Sequence, residues 1–221
     1  VLKAEKVAIV GAGPAGLTAA HLLSLRGYKV TVFDANDKPG GMLRLGIPAY
    51  RLPREVLDRE IAALLDDNIT LKMGVSLGPS IHKFGDELIP SGPSAERASS
   101  PSQLASMRDP DGESKHLGDK VTIDSLFDAG FDAVFLALGS MKSLPLRVEG
   151  EQARGVYPSL RFLSAFNLQG VSLGKGKVGV VGGGSSAIDA ARIALRQEGV
   201  DEVTIIYRRT REEMPAYSEE I

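Results

Sequence analysis

The 221-residue chain contains no cysteine. That absence excludes disulfides, a redox-active Cys-x-x-Cys pair, thiolate catalysis and cysteine-ligated iron–sulfur clusters in this polypeptide. Also missing is any excess of one charge: 26 basic against 28 acidic side chains leave a formal net charge of -2. There is therefore no electrostatic case for nucleic acid or an anionic membrane surface as partner. No run approaches the ~20 uninterrupted apolar residues that cross a bilayer, and Val1 to Glu5 does not read as a signal peptide. What is present is ordinary: 43% hydrophobic and 24% charged residues fit a soluble globular protein of one large or two modest domains. A cytoplasmic location is the default expectation, and any redox work needs a bound cofactor.

Apolar, β-rich runs alternate with helical patterns along the chain. Val7–Val10 reads as a strand, Pro14–Arg26 as a helix closed by Gly27, and Lys29–Phe33 as the next strand. Pro53–Leu65 reads as a helix with Val56, Leu57, Ile61, Leu64 and Leu65 on one face, and Ile69–Leu71 as a short strand. Phe131–Leu138 ("FDAVFLAL") and Lys177–Val181 read as buried strands, Ser186–Arg196 as a helix and Val203–Tyr207 as a strand. The alternation predicts an α/β fold of parallel sheets with crossover helices. The segment from Gly85 to Asp119 breaks the pattern. It is rich in Ser, Pro, Gly and charge, too polar to offset its ordering entropy by burial, and reads as a flexible surface insertion, with a partner-docking loop as the alternative.

Gly11-Ala12-Gly13-Pro14-Ala15-Gly16 fits G-x-G-x-x-G between a strand and a helix. Gly11 permits the tight turn, Gly13 lets the backbone approach a pyrophosphate, and Gly16 lets helix and strand pack closely. The helix N-terminus offers unpaired N–H groups to the phosphates. Asp34 ends the following strand, about 20 residues on, where a carboxylate accepts hydrogen bonds from ribose hydroxyls. A dinucleotide with an unphosphorylated adenosine ribose fits, FAD or NAD. The doublet Gly40-Gly41 follows, and its missing side chains allow the chain to pass close to an extended cofactor. Two arginines, Arg44 and Arg51, lie beyond it among apolar residues and prolines. On spacing alone Arg51 is as easily a solvated loop charge as a ligand.

The segments "GAGPAGL", "KPGGMLRLGIPAYRLPREVLDREI", "DAVFLALGS", "GVVGGGSSAIDAARIALR" and "EVTIIYRRTREEMPAY" together resemble the glutamate synthase small-subunit-like flavoprotein family. That family includes the flavin- and NADPH-binding part of dihydropyrimidine dehydrogenase and the large subunit of NADH-dependent ferredoxin:NADP transhydrogenases. The resemblance covers nearly the whole chain except the insertion. It implies that Gly11, Ala12, Gly13, Pro14, Ala15 and Gly16 hold the FAD pyrophosphate and Asp34 the adenosine ribose. By the same resemblance Gly40, Gly41 and Met42 lie along the flavin side, Arg51 of "YRLP" contacts FAD, Leu77 lies near the adenine, and Gly139 ends a strand beside the cofactor. Asp34 stands where the family more often has Glu, a shorter reach.

A second turn, Gly182-Gly183-Gly184-Ser185-Ser186-Ala187, follows the strand Lys177–Val181 and opens a helix. Ala187 at the third small position still allows close packing. The strand after that helix reaches Arg208 and Arg209 instead of an acid. A carboxylate would repel a 2′-phosphate, whereas guanidinium groups bind it through paired, charge-assisted hydrogen bonds. Two motifs thus predict two dinucleotides, FAD at the first and NADP(H) at the second; the resemblance agrees, placing NADP(H) at Gly183, Gly184, Ser185, Ser186, Arg208 and Arg209. The competing reading of "YRR" is a solvated strand end.

Other candidates carry less. Asp189 and Arg192, one turn apart in the second helix, read as a local ion pair or packing support. His21 reads as packed or solvated, His82 and His116 offer no third metal ligand, and "REEMP" at Arg211–Pro215 starts another possible helix. The expected organisation is an FAD-binding domain over 1–145, a connecting segment over 146–175 and a partial NADP(H)-binding domain over 176–221. The expected function is a flavoprotein electron-transfer module passing hydride between NADPH and FAD, with no catalytic side chain, in a hetero-oligomeric complex with a redox partner carrying iron–sulfur clusters. The family's amino-terminal cysteine-rich region and its returning carboxy-terminal FAD segment have no counterpart here, so a fragment of a longer protein is expected. Alternatives are a non-catalytic cofactor-binding scaffold and an oxidase or monooxygenase using only the first motif.

Overall fold

The structure, a computed structural model, describes residues 2–78 and 120–220. The insertion predicted at 85–119, with His82 and His116, lies outside the described residues. In chain order the elements are β1 (Lys6–Val10), α1 (Pro14–Leu25), β2 (Lys29–Asp34), α2 (Met42–Leu45), α3 (Arg54–Leu64), β3 (Ile69–Met73) and β4 (Ser76–Leu77). There follow β5 (Lys120–Val121), α4 (Ile123–Asp128), β6 (Ala133–Leu136), α5 (Ser159–Gln169), β7 (Gly176–Val181), α6 (Ser185–Ala194) and β8 (Val200–Ile206).

The first sheet is parallel throughout, in the order β3-β2-β1-β6. Alternate residues of β1 enter two different cores, as a strand's two-residue period requires. Val7 and Ile9 pack with Leu17 and Ala20 of α1 and Leu57 and Ile61 of α3. Ala8 and Val10 pack on the other face with Phe33, Val121 and Leu126, where the Phe33 and Phe131 rings meet edge-on at 5.8 Å. After β3 the chain returns to the opposite side of β1 as β6. That reversal makes the carboxyl ends of β1 and β6 the switch point at which open α/β sheets bind ligands.

A second parallel pair, β7 and β8, is joined by α6. The small residues Ala190 and Ala194 let α6 approach Phe162 and Leu163 of α5, and Ile193 fills the space between them. The fold is α/β with Rossmann-like strand–turn–helix units, as the sequence pattern predicts.

Three expectations are corrected. The run 131–138 is not a buried strand: β6 is a sheet edge paired only with β1, and Phe135, Leu136 and Leu138 are exposed among the described residues. β7, also read as buried, alternates half-buried and exposed positions, and among the described residues it pairs with β8 alone. The apolar face predicted for α3 is present: Leu57 and Ile61 are buried, and Leu64 and Leu65 pack half-buried against the same core. "REEMP" forms a single 3-10 turn at Arg211–Glu213, capped by Thr210 and Glu213, before the backbone turns extended at Met214.

Candidate functional site

The first glycine turn packs too tightly for side chains at two of its glycines. Gly11 has φ +113, and a Cβ there would overlap the Ala137 carbonyl at the end of β6. A Cβ on Gly16 would overlap the Gly11 carbonyl oxygen, which is why α1 can lie so close to β1. Gly13 is the N-cap of α1, Pro14 opens the helix, and the first turn carries no acidic residue. The helix therefore points uncompensated N–H groups and positive dipole charge at the crevice.

The Gly40-Gly41 doublet closes over this turn. Gly40 donates its N–H to the Ala12 carbonyl at 2.8 Å, and a Cβ on Gly41 would stand 2.8 Å from the Gly13 Cα. Asp34, at the end of β2, is buried beneath the loop. One of its oxygens accepts the Ala12 N–H at 2.7 Å, and the other accepts the N–H and Nδ2 of Asn36, each at 2.8 Å. Gly139 follows β6 at φ +67 with open space where a Cβ would stand. Met42 is exposed at the start of α2. Leu77 is half-buried in β4 against the core that holds Val10 and Phe33.

The second turn repeats the first. Gly182 has φ +135, Gly184 caps α6, and the first turn of α6 again carries no acid and no side-chain cap. A Cβ on Gly183 would stand 2.8 Å from the Tyr207 ring. The Gly183 carbonyl accepts the Ala216 N–H at 3.1 Å, so the chain folds back onto this turn. Arg208 and Arg209 are exposed just past β8. Arg209 borders a cavity of about 470 Å³ with Arg192, Tyr207, Arg211 and an apolar floor that includes Ile188 and Ile205.

The segment after α2 is tied to α6 by residues whose partners no sequence spacing indicates. The Nε of Arg51 donates to Asp189 Oδ1 at 2.6 Å, and its Nη2 donates to Glu220. Tyr50 donates its hydroxyl to the same Asp189 oxygen at 2.9 Å. Arg192 and Arg196 lie over the Tyr50 ring at 4.4 and 4.5 Å from its centroid. Asp189 and Arg192 therefore do not form a local pair: Asp189 is buried toward Tyr50 and Arg51, while Arg192 reaches Glu220 at 3.7 Å. Nor is Arg51 a solvated loop charge. Burial works against its guanidinium, but the hydrogen bonds and charges of Asp189 and Glu220 outweigh it and raise the pKa. Burial first, then Asp189, also raises the Tyr50 phenol above its ordinary range and keeps it a donor. Arg44 is buried and paired with Asp58. His21 bonds the Leu64 carbonyl at 3.0 Å, a packing role.

Among the described residues no three His, Cys, Asp or Glu side chains are placed to hold a metal ion, and no helix is long and apolar enough to cross a membrane. A family model described as pyridine nucleotide-disulphide oxidoreductase matches residues 5–221. The chain is 40% identical to the NADP(+)-dependent formate dehydrogenase subunit beta of Moorella thermoacetica, over 100% of this chain and 26% of that protein. It is 39% identical to the NADPH-Fe(3+) oxidoreductase subunit beta of Geobacter sulfurreducens, over 97% of this chain and 26% of that one. It is 34% identical to the glutamate synthase [NADPH] small chain of Escherichia coli, over 98% of this chain and 39% of that one. The chain thus spans 26 to 39% of the length of these relatives. In fold it is similar to Mycobacterium tuberculosis FprA in complex with NADPH, with a TM-score of 0.65 and 20% identity over 99% of this chain and 46% of that one.

Proposed function

The chain belongs to the pyridine nucleotide-disulphide oxidoreductase family, and we propose that it is the flavoprotein module in which NADPH reduces FAD. The observation that carries this reading is the pair of glycine turns with opposite charge at the ends of their second strands. β2 ends at Asp34, whereas β8 is followed by Arg208 and Arg209. A pyrophosphate at each turn is supported by helix first turns that carry no acidic residue and no side-chain cap. When bound, the cofactor pair supplies hydride donor and acceptor, so no acid–base side chain is required. With no cysteine, the chain has no disulphide of the kind in the family's name.

The residues then divide by task. Gly11, Ala12, Gly13, Pro14, Ala15 and Gly16 hold the FAD pyrophosphate on the first turn of α1, and Asp34 faces the ribose with the acceptor capacity its internal bonds leave. Gly40, Gly41 and Met42 line the flavin side, with Arg51 and Gly139 at its margin and Leu77 supporting the adenine end. Gly183, Gly184, Ser185 and Ser186 hold the second pyrophosphate, and Arg208 and Arg209 read the 2′-phosphate. In this reading residues 1–145 form the FAD domain and 176–221 part of the NADP(H) domain, joined by 146–175. Electrons leave to a redox partner carrying iron–sulfur clusters, in a hetero-oligomeric complex in the cytoplasm. Two relatives are named beta subunits and a third a small chain, which supports such an assembly.

The test is an anaerobic absorbance titration of the purified full-length parent with NADPH and then NADH. Bleaching of a bound flavin band by NADPH, with NADH much weaker, is the expected result. Bound flavin that ignores both nicotinamides would overturn the reading.

A further inference from the structure

Asp189 occupies an unusual position in α6. It lies four residues after Ser185, hence ~6 Å along the helix from the start of α6 at the second glycine turn. It is 7% exposed, and its Oδ1 is used wholly by the first unit, taking the Arg51 Nε at 2.6 Å and the Tyr50 hydroxyl at 2.9 Å. Glu220, which also pairs with Arg192 of α6, holds another nitrogen of the same guanidinium. A buried carboxylate that loses its charge partner is heavily penalised, so the pairing holds Arg51 to α6.

Arg51 is linked in turn to the first glycine turn. Its own N–H bonds the Pro48 carbonyl at 3.0 Å, and the N–H of Ile47 bonds the Met42 carbonyl at 3.2 Å. Met42 opens α2 directly after Gly41, the residue seated on Gly13. A path of hydrogen bonds and short backbone links therefore runs from Gly40, bonded to the Ala12 carbonyl, through Arg51 to α6 one turn past its start, and its buried ionic junction on the α6 side is Asp189. α5 runs beside it as a second tie, with Asn167 Nδ2 donating to the Leu45 carbonyl at 2.9 Å.

We infer that Asp189 is a positioning residue that couples the two dinucleotide sites, transmitting occupancy of the second glycine turn to Arg51 and the segment beside the first. The inference rests on the reading of both turns as dinucleotide sites. Asp189 touches neither turn's ligand position; it acts through Arg51. Its carboxylate charge carries the coupling, because Asn in its place keeps the size and an acceptor oxygen but loses the attraction for the guanidinium.

The experiment is a titration of NADP+ into the oxidised full-length protein, comparing wild type with Asp189→Asn and Asp189→Glu. The readouts are amide hydrogen exchange over residues 182–188 and 48–57, and the flavin difference spectrum. In wild type, NADP+ is expected to slow exchange in both segments and to perturb the flavin band. In Asp189→Asn, protection at 182–188 should persist while that at 48–57 and the spectral change fall at least fivefold. Asp189→Glu, which restores the charge, should recover part of both. Protection at 48–57 that survives Asp189→Asn, or that is absent in wild type while 182–188 is protected, overturns the coupling and leaves the two-site reading standing. Absence of protection at 182–188 in wild type overturns the two-site reading and the coupling with it. Should Asp189→Asn fail to fold, Arg51→Gln carries the same expectation at 48–57, since it removes the charge that Asp189 attracts.

Discussion

Asp34 accepts a hydrogen bond from the Ala12 backbone N–H at 2.7 Å, so the acid at the end of β2 shapes the glycine turn from within. With Asn36 on its second oxygen it receives three donors of the roughly four a carboxylate accommodates. Asp34→Ala leaves the buried Ala12 N–H unpaired and should cost about 1–3 kcal/mol of stability. Asp34→Asn, which can retain one acceptor toward Ala12, should cost less. Denaturant midpoints of the two variants check the ordering, and an Asn variant as damaged as the Ala variant would contradict it.

Gly41 stacked on Gly13 makes a second prediction. Gly41 has φ +50 and ψ -130, and an added Cβ would approach the Gly13 Cα to 2.8 Å. Gly41→Ala combines that overlap with a backbone state costing about 1–3 kcal/mol for a residue other than glycine. The strain falls on the turn proposed to hold the pyrophosphate, so flavin content should drop further than global stability. The ratio of flavin to protein absorbance in the purified variant, compared with its unfolding midpoint, measures both. A full complement of flavin in Gly41→Ala would show that the doublet is spaced for the chain alone.

Gly11, Gly13 and Gly16 are legible in the sequence because each meets a backbone demand that strand and helix flanks announce. The same holds for Gly27, which stands at φ +89 just past α1. Leu136 and Phe135 mislead because an apolar run reports what needs covering and says nothing of what covers it. α5 carries a usable signal in Pro158 at its N-cap and Gly170, φ +66, at its end. Arg51 lies beyond such reasoning altogether: its partners are 138 and 169 positions away, and no local period encodes that pairing. Tyr207 and Ala216, seated against Gly183, are hidden for the same reason.

Arg208 and Arg209 allow a charge test of the second site. A hydrogen bond to a charged group contributes about 1.5–3 kcal/mol, and both side chains are exposed, where solvent and salt weaken such bonds. Replacing both with Ala should raise the NADPH KM roughly tenfold or more, whereas NADH, which lacks the 2′-phosphate, should lose far less. Raising ionic strength should reduce the wild type's preference for NADPH and leave the double variant nearly insensitive. Steady-state flavin reduction with both nucleotides at two salt concentrations reads the effect. Equal losses for the two nucleotides would assign the arginines to something other than the phosphate.

Tyr50 supplies a pH dependence with a definite sign. Burial first, then the hydrogen bond and negative charge of Asp189, raise its pKa, while Arg192 and Arg51 oppose the shift. The folded protein therefore holds the phenolic proton more tightly than the unfolded chain, whose tyrosines titrate near pH ~10. Above that value the native state binds more protons, and stability must fall with pH. The contribution is fully present below pH ~10 and is lost as pH rises through the folded value. Tyr50→Phe keeps the ring under Arg192 and Arg196 and removes only the hydroxyl. Because Tyr50 is half-buried, its loss should cost about 1 kcal/mol at neutral pH after solvent competition. The difference between wild type and Tyr50→Phe should stay constant from pH ~6 to ~9 and narrow above pH ~10. Denaturant unfolding across that range tests the sign, because a difference that widened with alkali would mean that the phenolate, not the phenol, is the form this junction favours.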